Sequence, residues 1–223
     1  MIKALIFDFD GTLSNRQANA YAVFDDYLHQ YFTEESETFY EAVLQDMMLY
    51  DCNGIMKVEN RLIPFMEKYR KYLPDDFVET FAPYYNDQMF EYTVLKEETV
   101  EVLEQLKGRY KMAVLSNGDS LPQHRKVEIM GIEPYFDVVL VSGDIGINKP
   151  DRGVFDYLCA RLGCRNEECM MIGDVFATDI LGAVNAGCVP VWLNRDPELP
   201  AKHYHGYQIA RLKDLLQLLE EVA

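Results

Sequence analysis

The stretch "ALIFDFDGTLSN", residues 4–15, decides how the rest of the chain is read. Four apolar residues, Ala4–Phe7, run straight into Asp8, Phe9 and Asp10, and then into Gly11 and Thr12. Successive side chains of a strand point to opposite faces, so Phe7 and Phe9 can pack one side while Asp8 and Asp10 address the other. An unpaired carboxylate at the end of a buried strand is costly. Either these acids sit on a solvated strand end, or something cationic belongs beside them.

No hairpin partner follows, so this strand must pair with strands much further along. From about residue 15 to 91 the chain instead looks helical and aromatic-rich, with breaks near Asn53–Gly54 and at Pro74. A different rhythm then begins. Helical patterns at Thr99–Lys107, Leu121–Met130, Gly153–Leu162 and Ile180–Ala186 alternate with the apolar runs "KMAVLSN", "FDVVLVSGD", "CMMIGD" and "VPVWLN". A closing helix places Leu212, Leu215, Leu216 and Leu219 on one face. Short, almost wholly apolar strands between helices predict a parallel sheet covered on both sides. The expected fold is therefore α/β: a doubly wound, Rossmann-like core of residues 1–14 and 92–223, interrupted by an α-helical insertion over 15–91.

Bulk properties narrow the function. The 223 residues carry 21 basic and 37 acidic side chains, a net charge of −16. Such a balance repels a polyanion at long range and argues against a nucleic-acid polymer as partner, yet a small phosphate can still enter a locally positive site. No apolar run approaches the roughly 18 residues of a membrane span. Lys3 is the one charged residue before a short apolar stretch, and no small-residue cleavage pattern follows, so no signal peptide is expected. Five cysteines without zinc-type pairing fit reduced thiols, hence a cytoplasmic location.

In open α/β sheets the ligand lies beyond the carboxyl ends of the strands. Those ends carry Asp8 and Asp10, then Ser116–Asn117–Gly118, then Lys149 after Ser142–Gly143–Asp144, and finally Asp174 with Asp179 five residues on. Four carboxylates around one point repel one another and call for a cation. Carboxylate and carbonyl oxygens are hard ligands suited to Mg²⁺, which readily takes a substrate phosphate as a further ligand. Ser116 and the N–H groups of the turn after it suit phosphate oxygens. Lys149 adds positive charge where phosphoryl transfer develops negative charge. Asp8 could then attack phosphorus to give an aspartyl-phosphate. Asp10 would protonate the leaving oxygen and later activate water. Plainer readings stay open beside these: a turn hydroxyl for Ser116, a surface lysine for Lys149, a helix cap for Asp179.

In this order "DFDGT", "SNG", "KP" and "GDVFATD" resemble the four motifs of the haloacid dehalogenase-like hydrolase superfamily. The resemblance covers the whole core, and the insertion after the first motif resembles the helical cap of the superfamily's C1 class. It implies Asp8 as nucleophile, Asp10 as acid and base, and Ser116 and Lys149 as phosphate binders. It also implies Mg²⁺ held by Asp8, the Asp10 carbonyl and Asp174, with Asp179 in or beside that shell. The stretch from "KPDRGVFDYL" onward looks most like pyrimidine nucleotidases and phosphoglycolate phosphatases. Dehalogenases lack the second aspartate, so Asp10 favours phosphate chemistry.

The expected activity is a Mg²⁺-dependent phosphatase for a small monoester, of nucleoside monophosphate or sugar phosphate type. A phosphomutase of the β-phosphoglucomutase kind shares all four motifs and is the alternative. A phospho-aspartate receiver module ranks below both, because receivers are shorter, carry the acid on a later strand and lack a cap. Tyr21, Phe24, Tyr27, Tyr31 and Phe32 recur at helical spacing and are read as the insertion's own core. Asn15 and Arg16 follow the acids so closely that they are candidates for substrate selection.

Overall fold

The computed structural model describes residues 1–54, 56, 58–194, 196 and 201–222. The chain divides into two units, Met1–Asn15 with Leu95–Ala223 and, between them in sequence, Arg16–Val94. In chain order the elements are β1 (Ala4–Phe7), α1 (Arg16–Leu28), α2 (Glu37–Asp51), α3 (Val58–Lys68), α4 (Phe77–Gln88), α5 (Thr99–Leu106), β2 (Lys111–Ser116) and α6 (Ser120–Ile129). They continue with β3 (Val138–Val141), α7 (Ser142–Ile145), α8 (Arg152–Leu162), β4 (Cys169–Gly173), α9 (Leu181–Ala186), β5 (Val189–Leu193), β6 (Tyr207–Ile209) and α10 (Asp214–Val222). A π-helical turn, Phe176–Ile180, leads into α9.

The strands form one parallel sheet in the order β3-β2-β1-β4-β5-β6. β1 is wholly buried and lies between β2 and β4, with Ile6 opposite both Ala113 and Met171. Alternation along the strands assigns the two faces. Leu5, Phe7, Val114 and Ile172 pack with Leu103 of α5 and Leu215 and Leu219 of α10. Ala4, Ile6, Leu115 and Met171 pack with Phe155 and Leu158 of α8 and Ala183 of α9. Helices on both faces make the sheet doubly wound, as expected from the sequence. β6 was not foreseen: three residues beside "HYHG", two of them exposed, give almost no apolar signal.

Strand order reverses at β1, which puts a crevice beyond the carboxyl ends of β1 and β4. Just past it the α/β unit closes on itself. Ser14 pairs antiparallel with Leu95, and the Leu13 carbonyl accepts from Lys96 N–H at 3.0 Å and Thr99 Oγ1 at 2.7 Å.

The helical unit has a separate core. Phe24, Phe65, Phe77 and Phe81 are fully buried, and Tyr27 packs edge-on to Phe81 with ring centroids 4.9 Å apart. Phe32 is buried too, while Tyr21, Tyr27 and Tyr31 lie half-buried against the cluster. The aromatic repeat is therefore core. Inside it sits an ionic knot. Asp51 pairs with both Arg16 and Arg61, and Arg16 also donates to the Tyr85 hydroxyl at 2.9 Å. Arg61 donates to the Asp51 carbonyl at 2.9 Å and lies over the Tyr85 ring at 5.2 Å. All four are buried. The two ends of this unit are also tied, since Asn19 Oδ1 accepts from Val94 N–H at 2.9 Å.

Candidate active site

Asp8 extends the ladder of β1, its N–H donating to the Ile172 carbonyl at 2.9 Å. Its carboxylate thus emerges at the switch point, where it is buried. Lys149 meets it there. The Lys149 ammonium has three protons, and three acceptors surround it: Asp8 Oδ1 at 2.7 Å, Asp179 Oδ1 at 2.8 Å and the Leu115 carbonyl at 2.7 Å. Its backbone is held equally firmly. Asn117 accepts from Lys149 N–H at 2.9 Å and donates back to the Lys149 carbonyl at 3.0 Å.

Asp8, Asp174 and Asp179 each bring one carboxylate oxygen to within 4.8 Å of the other two. With Lys149 included, three negative charges meet one positive one. Burial drives the Asp8 carboxyl well above the ordinary aspartate range, and Asp179 and Asp174 push the same way against Lys149. Burial opposes the Lys149 charge, yet Asp179 and Asp8 carry the ammonium above the usual lysine value. A hard cation among the three carboxylates would relieve that excess.

The second acidic pair is positioned by its neighbours. Thr12 Oγ1 donates to Asp174 Oδ1 at 3.1 Å, and Trp192 Nε1 donates to the Asp174 carbonyl at 3.1 Å. Gly11 has φ +95°, and a side chain there would place Cβ 2.6 Å from Asp174 Oδ2. Asp179, in the π-helical turn, accepts from Val175 N–H at 3.0 Å and Thr178 Oγ1 at 3.2 Å. It therefore holds the N–H of the residue before its turn and stands among the clustered acids, but it does not cap α9. Gly173 makes room for it, because a Cβ at 173 would lie 2.3 Å from Asp179 Oδ2. Gly173→Ala is expected to displace Asp179, costing about 1–3 kcal/mol of stability and the Mg²⁺ response together. Thermal melts with and without Mg²⁺ check this, and an unchanged Mg²⁺ response would count against the placement.

The other candidate residues have partners of their own or lie close by. Ser116 lies buried at the end of β2. Both ends of the Asn117 amide are spent on Lys149, so that side chain serves position. Gly118 N–H, expected to face a phosphate, donates to Ser142 Oγ at 2.9 Å, because α7 begins alongside this turn. Arg16 is committed to the ionic knot of the helical unit. Asn15 is half-buried at the end of the first segment of the α/β unit.

Two residues escaped the sequence reading. Lys126 Nζ lies 3.1 and 2.9 Å from the two Asp10 oxygens, and Gln123 Nε2 donates to Asp10 Oδ2 at 2.8 Å. In sequence they are two polar residues one helical turn apart, the pattern of any solvated face. Only the contacts that bring these α6 side chains to Asp10 give them meaning.

A doubly wound sheet with clustered carboxylates and a buried lysine at its switch point defines an α/β protein with a candidate cation site there. This chain belongs to the haloacid dehalogenase-like hydrolases, the family pattern matching residues 2–187. It is 34% identical over 136 residues to the N-acylneuraminate-9-phosphatase of Homo sapiens, covering 58% of this chain and 55% of that protein. It is also 34% identical over 122 residues to the pyrimidine 5'-nucleotidase YjjG of Escherichia coli K12, 54% of either chain. These matches span about half the length of the curated relatives. The HAD-hydrolase YfnB of Bacillus subtilis, whose crystal structure is bound to magnesium, shares the fold with a TM-score of 0.77 at 24% identity, covering 98% of both chains.

Proposed function

We propose that this protein is a Mg²⁺-dependent phosphatase for small phosphate monoesters, working through an aspartyl-phosphate on Asp8, with Arg16–Val94 as its cap. The observation that carries the reading is the buried Asp8 carboxylate, oriented by Lys149 and faced by Asp174 and Asp179. The donor set fits the metal: three carboxylates in excess over one lysine are hard, anionic ligands. Asp8, Asp174 and the Asp10 carbonyl would hold it, with Asp179 beside them, and it would neutralise charge on the phosphoryl group.

The remaining chemistry belongs to the side chains. Asp8 attacks phosphorus as the bond to the leaving oxygen breaks, and Asp10 gives that oxygen its proton. Asp10 then takes a proton from water, whose oxygen attacks the aspartyl-phosphate, freeing inorganic phosphate and restoring Asp8. Lys149 keeps Asp8 aimed and offsets charge in both steps. Nucleoside monophosphates and sugar phosphates are the favoured substrates, in keeping with the nucleotidase and the acyl-sugar phosphatase among the relatives.

Phosphate release from a panel of metabolite monoesters, with Mg²⁺ and with chelator, tests this. Release that depends on Mg²⁺ is expected, strongest for one of those two classes. No release, together with isomerised sugar phosphates, would replace the reading with a phosphomutase.

A further inference from the structure

The two acids meet different lysines. Lys149 is shared by Asp8 and Asp179, and the partner of Asp10 is Lys126, which is only 6% exposed. A lysine buried so deeply needs a charged partner, and this one spans both oxygens of a single carboxylate. Gln123 adds its contact to Oδ2, and Ser14 Oγ approaches Oδ1 at 3.4 Å. Gln123 is itself fixed, since its amide also donates to the Asn117 carbonyl at 3.2 Å. The same turn that clamps Lys149 through Asn117 therefore steadies Gln123.

We infer that Lys126, assisted by Gln123, is the positioning residue that aims the Asp10 carboxylate for its two proton transfers. The inference rests on the phosphatase reading above. The contacts to Oδ2, at 2.8 and 2.9 Å, are shorter than those to Oδ1, at 3.1 and 3.4 Å. Stability alone gives no reason for such a pair, because buried ion pairs can often be replaced by packed apolar side chains at little cost. Orientation does give one, since a proton-transfer group must lie within hydrogen-bond reach of its target.

The test is a double-mutant cycle on p-nitrophenyl phosphate with Mg²⁺, using Lys126→Met, Lys126→Arg, Asp10→Asn and Asp10→Asn/Lys126→Met in the full chain. The nitrophenolate leaves readily as an anion, so Asp10→Asn keeps a measurable rate. Lys126→Met is expected to lower kcat about tenfold or more with little change in KM, and Lys126→Arg to recover part of it. In the Asp10→Asn background Lys126→Met should add nothing, because the group it aims is gone. Wild-type kcat in Lys126→Met, or an equal loss in both backgrounds, would overturn the inference. Should Lys126→Met fail to fold, Gln123→Leu enters the same cycle with the same criteria. A wild-type protein that releases no phosphate would instead overturn the phosphatase reading, and this inference with it.

Discussion

Asp8→Asn is expected to abolish phosphate release, by roughly 10⁴-fold or more, without harming the fold. The amide keeps the shape of the carboxylate and can still accept from Lys149, but it is no nucleophile. Stability should move the other way. Asp8, Asp174 and Asp179 crowd three negative charges around one lysine, and the substitution removes one of them. In chelator the variant should therefore melt at or above the wild-type temperature. Mg²⁺ should raise the wild-type melting temperature, since a ligand at a hundred times its Kd adds about 2.7 kcal/mol, and should raise that of the variant less. Calorimetry with and without Mg²⁺, alongside phosphate release, reads all of this. Substantial turnover by the variant would refute Asp8 as nucleophile, and a large loss of melting temperature in chelator would make its carboxylate a structural group.

The second large effect falls on the helical unit. Asp51→Asn leaves two buried guanidiniums, Arg16 and Arg61, without their shared counter-charge. Breaking a buried pair from one side costs about 3–5 kcal/mol, and here one carboxylate serves two partners. The chain offers a way to see where the loss falls. Its single tryptophan, Trp192, lies in the α/β unit, whereas most tyrosines lie in the helical one. Tyrosine signals are expected to melt well below the wild-type temperature and ahead of the Trp192 fluorescence. Coincident transitions at the wild-type temperature would show that the knot contributes little.

What could be read in advance follows from the range of each interaction. β1 and its acids were legible because one short segment contains the apolar run, the alternation and the glycine that ends it. Lys149, Asp174 and Asp179 were legible because every parallel strand delivers its following residues to the same edge. Lys126 and Gln123 were not, since nothing in α6 marks one polar face as buried. The Arg16–Asp51–Arg61 knot was hidden for a related reason: its members lie on three helices, and Arg16 was read for its closeness to Asp10 in sequence. β6 is too short and too exposed to show a period. The partner of Gly118 N–H was not legible, because the hydroxyl that takes it, Ser142 Oγ, comes from another part of the chain.

The closure between Ser14 and Leu95, together with the Asn19–Val94 tie at the base of the helical unit, has a consequence for the order of folding. β1 must find β2 across an intervening chain of roughly a hundred residues, and the entropy of closing such a loop grows with the logarithm of its length. A helical unit that folds first brings its own ends together. It then acts as a splint, reducing the loose chain between the strands to roughly two dozen residues and easing closure by about 1 kcal/mol. An insertion that folds first thereby shortens the search that builds the sheet it interrupts.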